Sequence, residues 1–288
     1  MKLITYYRNK VEETGILLDE NIIPLDVLND VFGWHFPNHL DEIFKSDSFT
    51  KLAHNVKNIN LDMSQFEGYD SYQLTNIKIA PLYRHPPKIW GIGLNYRDHA
   101  ADLEEKTPSL IPASFMKADT TIIGPGETIQ LPKVAEKTTG EAELGIIIGK
   151  KCKNIHHLNW LEAVAGFTCI IDMTAESILR KNPRYLTLSK NFDTFFSFGP
   201  VLITPEEVMD INSLQVATIL NGEIHAKNMI CNMTFPPDFL VSFHSEVMTL
   251  LPGDIISTGT PRAVEIKPGD NIGCSISGFP ILNNPVAG

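Results

Sequence analysis

Thr139-Gly-Glu-Ala-Glu-Leu-Gly-Ile-Ile-Ile-Gly149 decides the fold. Three consecutive isoleucines and an apolar tail suit a pleated, buried strand better than a helix. Side chains alternate along a strand, so Glu141 and Glu143 share one face, roughly 7 Å apart. Ala142, Leu144, Ile146 and Ile148 take the other. Two carboxylates at the head of an apolar strand repel each other and lose solvation. A cation between them relieves both penalties. Oxygen-only ligands favour a hard ion, Mg²⁺ or Mn²⁺, over zinc. The rival reading is two glutamates on a solvated strand face.

Composition bounds what surrounds this strand. A chain of 288 residues buries a large core, as one big domain or one big and one small. The hydrophobic content of 43% is that of a globular protein. A net charge of −10 argues against nucleic acid and anionic membranes as partners, while leaving room for a locally positive pocket. Cys152, Cys169, Cys231 and Cys274 lack CxxC spacing, and Met1-Lys-Leu-Ile-Thr-Tyr-Tyr-Arg8 does not read as a signal peptide. Reduced thiols in a cytoplasmic protein are the expectation. No apolar run is long enough to cross a bilayer.

Outward from the strand, residues 1–80 read as a small α/β module. Lys2–Tyr7, Thr14–Leu18 and Asn21–Leu25 are its expected strands, with helical spacing over Leu40–Val56. The proline-rich stretch Ile79–Lys88 reads as a linker into a main domain, residues 81–288. Asn95 caps an expected helix on which His99 and Asp102 share a face, so the carboxylate could orient the imidazole as a general base. Lys117 ends a short apolar segment. Asp172 follows the apolar run Gly166–Ile171 and wants a partner from elsewhere, a third metal ligand or a turn. Lys190 precedes the phenylalanine-rich stretch 192–198. Asn221-Gly222 marks a tight hairpin, Pro237–Leu250 a helix with Pro in its first turn, and Ile255–Pro261 a strand leading into a Gly-Thr-Pro loop.

Together these motifs resemble the fumarylacetoacetate hydrolase superfamily from about residue 82 onward. Their order carries the resemblance: Gly93-Leu-Asn-Tyr-Arg-Asp-His99, Phe115-Met-Lys117, Ile123-Gly-Pro-Gly126, Glu141-Ala-Glu143, Asp172-Met-Thr-Ala175, Lys190-Asn-Phe-Asp-Thr194, Asn221-Gly-Glu223 and Leu251-Pro-Gly-Asp254 with Thr258-Gly-Thr-Pro261. The resemblance implies an α+β fold with a β-rich mixed β-roll around one divalent ion, usually Mg²⁺, and a homodimer. It implies Glu141, Glu143 and Asp172 as metal ligands and His99 as general base on a segment that orders over substrate. Lys190 and Lys117 take substrate or transition-state contacts, and Thr260 a substrate carboxylate. Two positions depart from the family pattern. Asp102 stands where members with a His–Glu dyad carry the longer Glu, and Glu176-Ser177 stands where Arg-Asp is common. The implied activity is hydrolysis of a C–C bond in acylpyruvate-like β-diketo acids through an enolate held by the ion. Oxaloacetate-type decarboxylation and 2-hydroxy-dienoate isomerisation or tautomerisation share that enolate and stand as alternatives. A metal-binding protein with weak catalysis is a further one.

Overall fold

A computed structural model describes residues 1–96 and 110–288. The expected strand runs Thr138–Ile148, and every residue of it except Glu141 is buried. It pairs antiparallel with Val164–Thr174, buried along all eleven residues, and on its other edge with Ile255–Ser257 and Val264–Ile266. Burial on both faces explains why these strands read as nearly unbroken apolar runs.

Around this pair the described residues form a twelve-stranded sheet. From Val164–Thr174 it continues through Phe196–Ile203 to Lys2–Arg8, Val11–Leu18, Asn21–Pro24 and Tyr72–Gln73. From Ile255–Ser257 it continues through Ile89–Gly93 to Ala113–Lys117. A second, five-stranded sheet runs Glu223–Met229, Gln215–Leu220, Asn271–Ile276, Leu282–Ala287 and Ile129–Gln130. The fold is mixed α and β, rich in strands and poor in helices.

The faces of the central strand part as its period requires. Ala142, Leu144, Ile146 and Ile148 pack with Val216, Ile272, Cys274 and Leu282 of the smaller sheet. Ile147 lies in a different cluster with Ile170, Phe196 and Phe198, closed by Leu40, Ile43, Phe44 and Leu52 of the N-terminal helices. Glu141 and Glu143 share Ile147's side of the pleat.

Several local expectations change. The helical spacing over Leu40–Val56 becomes two helices, Leu40–Lys45 and Phe49–Lys57, broken at Asp47 with φ 54°. A 3₁₀ helix, His157–Ala163, joins the two central strands, and the strand leading into the Gly-Thr-Pro loop is Ile255–Ser257. Within Ile79–Lys88, Leu82 and Tyr83 are buried and the Tyr83 hydroxyl donates to Gly253 O at 3.0 Å. All four cysteines are free thiols; Cys169 and Cys274 are buried and Cys231 is exposed. Among the described residues, no helix is long and apolar enough to cross a membrane.

Candidate active site

Register brings the acidic side chains together. Asp172 lies directly opposite Glu141 in the antiparallel ladder, and Ile170 opposite Glu143. Directly opposed residues point to the same face with Cβ atoms ~5 Å apart. A cross-strand pair of like charges is destabilising, and here a third carboxylate sits one pleat away. One ligand atom from each of Glu141, Glu143 and Asp172 lies within 4.8 Å of the others. The set is oxygen-only and suits a hard cation.

Two lysines supply counter-charge. Lys190, at the end of the short helix Leu186–Lys190, places Nζ 2.6 Å from Asp172 Oδ2 and 2.9 Å from Glu141 Oε2. Lys117, the last residue of Ala113–Lys117, places Nζ 2.6 Å from Asp172 Oδ1 and also donates to Lys190 O. Both side chains are buried, and their ammonium groups lie over aromatic rings, Lys190 over Phe115 at 4.7 Å and Lys117 over Phe196 at 5.9 Å. The phenylalanine-rich stretch thus walls the site as well as filling the core.

Glu143 is held from the other side. Its Oε2 accepts from Ser257 Oγ at 2.6 Å and from Gly259 N at 2.7 Å. Gly259 has φ +94°, and a Cβ there would meet Asn95 Cβ at 2.8 Å and Ile92 O at 2.9 Å, so only glycine fits. Thr258 between them hydrogen-bonds Leu144 O through both its N–H, at 3.1 Å, and its hydroxyl, at 2.9 Å. Asn95 Nδ2 in turn donates to Thr258 O at 2.7 Å.

Burial decides the electrostatics. Desolvation, then the neighbouring Asp172 and Glu141, push the Glu143 carboxyl up to about 8. Burial would raise Asp172 too, but its two lysines outweigh it and hold it below the usual range. Burial pulls Lys117 down against the attraction of Asp172. Burial would lower Lys190 as well, but three carboxylates hold it above its usual value. Three acids facing two ammonium groups leave one negative charge in excess when all are ionised. A dry site in that condition fits a divalent cation.

Thr260 is buried, with its hydroxyl donating to Arg262 O at 3.2 Å. The hydroxyl and the N–H that this loop offers a carboxylate come from Ser257 and Gly259, and they serve the chain's own Glu143. Glu176 pairs with Lys137 at 2.7 Å and Arg180 at 2.6 Å. His99 and Asp102 lie outside the described residues. Sequence reasoning missed Ser257; its one signal was a hydroxyl at the end of the apolar run Ile255-Ile256.

The chain matches the Fumarylacetoacetate (FAA) hydrolase C-terminal family over residues 88–287. It is 35% identical over 216 residues to the mitochondrial oxaloacetate tautomerase Fahd2a of Rattus norvegicus, covering 72% of this chain and 68% of that one. The structure of 5-carboxymethyl-2-hydroxymuconate delta-isomerase from Mycobacterium smegmatis superposes with a TM-score of 0.68 at 33% identity, covering 76% of this chain and 85% of the other. Maleylpyruvate hydrolase from Sphingobium sp. SYK-6, solved with manganese (II) and pyruvate, superposes with a TM-score of 0.80 over 100% of this chain and 99% of its own. At 24% identity that likeness is one of fold. Motif order, sheet architecture and these comparisons agree: the chain belongs to the fumarylacetoacetate hydrolase family.

Proposed function

We propose that this protein is a divalent-metal-dependent enzyme that moves a proton on a small 2-oxo acid, interconverting keto and enol forms as an oxaloacetate-type tautomerase or a 2-hydroxy-dienoate isomerase. The observation that carries the reading is the cluster of Glu141 with the buried Glu143 and Asp172, and Lys190 and Lys117 against it. The three carboxylates are the residues that would hold Mg²⁺ or Mn²⁺. A divalent ion held there would supply Lewis acidity to the 2-oxo acid and so make its adjacent C–H more acidic. Lys190 and Lys117 bring positive charge to the side of the site where enolate charge develops. His99, oriented by Asp102, takes the proton from carbon and returns it at the new position, so atoms balance with nothing added or lost. In this reading Thr260 turns its hydroxyl from Arg262 O to the substrate carboxylate. The protein works as a homodimer.

Support for proton transfer over C–C hydrolysis comes from the relatives named above. Those about a third identical are named a tautomerase and an isomerase. Hydrolysis of an acylpyruvate-like β-diketo acid is the second reading, favoured by the same acid cluster. Purified protein assayed on enol-oxaloacetate, a 2-hydroxy-dienoate and acetylpyruvate, with Mg²⁺ and with EDTA, separates them. The expected result is rapid loss of enol absorbance without release of pyruvate or carbon dioxide, abolished by EDTA. Faster release of pyruvate from acetylpyruvate would make the protein a hydrolase. Turnover untouched by chelation would end both readings.

A further inference from the structure

We propose that Ser257 determines which divalent ion the carboxylate cluster accepts, by allowing Glu143 to offer one oxygen and no more. The proposal rests on the metal-dependent reading above. Glu143 Oε2 carries two short hydrogen bonds, from Ser257 Oγ at 2.6 Å and Gly259 N at 2.7 Å. Neither donor is free to follow that oxygen toward an ion. Ser257 is fixed in the ladder opposite Gly145 on one side and Gly91 on the other. Gly259 is confined by Asn95 and Ile92, and Thr258 is bonded to Leu144 O at both its N–H and its hydroxyl. Oε1 is the oxygen of Glu143 left for a ligand.

The other two carboxylates are restrained in a similar way. Asp172 has an ammonium group at each oxygen, 2.6 Å from Oδ1 and 2.6 Å from Oδ2. Glu141 Oε2 carries Lys190 at 2.9 Å. Glu143 and Glu141 can therefore each give one oxygen without breaking a charged contact, and Asp172 gives one only by sharing it with a lysine. Three protein oxygens leave room for three from water and substrate around an octahedral ion. Mg²⁺ demands near-octahedral geometry at ~2.0–2.1 Å and keeps its waters, whereas Ca²⁺ takes ~6–8 oxygens at ~2.3–2.6 Å and commonly chelates carboxylates through both. The cradle is built for the small ion and starves the large one. Ser257 is a positioning residue, acting through Glu143, and its removal leaves the Gly259 N–H as the one remaining restraint on Oε2, so that oxygen can turn toward a large ion.

Calorimetric titration of the metal-free protein with Mg²⁺, Mn²⁺ and Ca²⁺ tests this. The unaltered protein should bind Mg²⁺ and Mn²⁺ at least tenfold more tightly than Ca²⁺. Ser257→Ala should weaken Mg²⁺ and Mn²⁺ roughly tenfold to a hundredfold while Ca²⁺ affinity holds or rises, so the discrimination closes. Ser257→Thr keeps the hydroxyl and should keep the discrimination. Thermal melts of each metal-free variant confirm folding, and the ratio of two ions on one sample is insensitive to the active fraction. Equal binding of all three ions by the unaltered protein, or equal weakening of all three by Ser257→Ala, overturns the proposal and leaves the metal-dependent reading standing. An unaltered protein that binds none of the three overturns that reading itself.

Discussion

Glu143 and Glu127 are the same residue in two charge clusters, and the fold treats them oppositely. Glu143 is buried beside Asp172 and Glu141, and its carboxyl is pushed up to about 8. Glu127 is also pushed up by burial, but the Gly124 N–H, Arg84 and Tyr7 outweigh that and hold it below the usual carboxylate range. Around Glu127 the charges are half-exposed and paired in geometry that arginine's fork favours: Arg84 reaches Glu12 at 2.8 Å and Glu127 at 3.3 Å, and Tyr7 bridges both glutamates. Around Glu143 the charges are dry and carry more acid than base. A satisfied rim cluster ties Lys2–Arg8 and Val11–Leu18 to the rest of the chain, whereas a buried cluster left short of positive charge invites a ligand.

The sharpest way to break the contrast is to remove the acid centre's hub. Asp172→Ala leaves Lys117 and Lys190 buried without their shared partner, and stranding a buried charge in this way costs ~3–5 kcal/mol. Chemical denaturation should show that loss, and Mn²⁺ titration should show affinity reduced more than ~100-fold. A smaller effect on both would place the cluster nearer to the Glu127 kind. Proton linkage comes next. Below pH 8 the metal-free Glu143 holds a proton that an ion must displace, so affinity should rise about tenfold per pH unit and level off above 8. Titrations in buffers of different ionisation heat should count close to one proton released at pH 7. The sign for stability follows from a folded value raised above the unfolded 4.5. This group's contribution to the metal-free protein is full below pH 4.5 and is lost as pH rises through about 8. Lys190→Met should separate charge balance from catalysis. Turnover should fall at least ~100-fold, while Mn²⁺ affinity rises about tenfold because a competing cation has left Glu141 and Asp172, a change worth ~1.4 kcal/mol.

The sequence shows one half of the acid centre and hides the other. Glu141 and Glu143 were legible from the two-residue period of their own strand. Asp172 was legible only as an acid needing a partner, because its place beside Glu141 is set by the register between two strands and by the 3₁₀ turn joining them. The lysines were harder still. Lys117 comes from an edge strand and Lys190 from a five-residue helix, and only tertiary packing brings their tips to one carboxylate. Ser257 escaped because a hydroxyl at a strand end has many partners to choose from. The N-terminal module reads as separate along the chain, yet Lys2–Arg8 hydrogen-bonds Phe196–Ile203, a pairing across nearly two hundred residues that no local pattern reports. Hydrophobic periodicity fixes faces, and long-range register fixes neighbours.

Arg84→Ala is the mildest test and bears on the other half of the contrast. It removes the cation shared by Glu12 and Glu127 while leaving Glu127 its hydrogen bond from Gly124 N at 2.8 Å. The pairs are partly solvated, so the loss should be about 1 kcal/mol rather than that of a stranded buried charge. Turnover and metal affinity should stay within twofold of the unaltered protein. The pH signature is opposite in sign to that of Glu143. A folded value held below the unfolded 4.5 gives stability that is present above pH 4.5 and lost as pH falls through the depressed value. Arg84→Ala should therefore blunt acid destabilisation and leave the alkaline side unchanged. Denaturation curves from pH 3 to pH 9 on both proteins would show whether the two glutamates respond independently. A change in the alkaline limb, or in Mn²⁺ affinity, would mean that the rim cluster and the acid centre are coupled through the strand Phe196–Ile203, which pairs with both Lys2–Arg8 and Val164–Thr174.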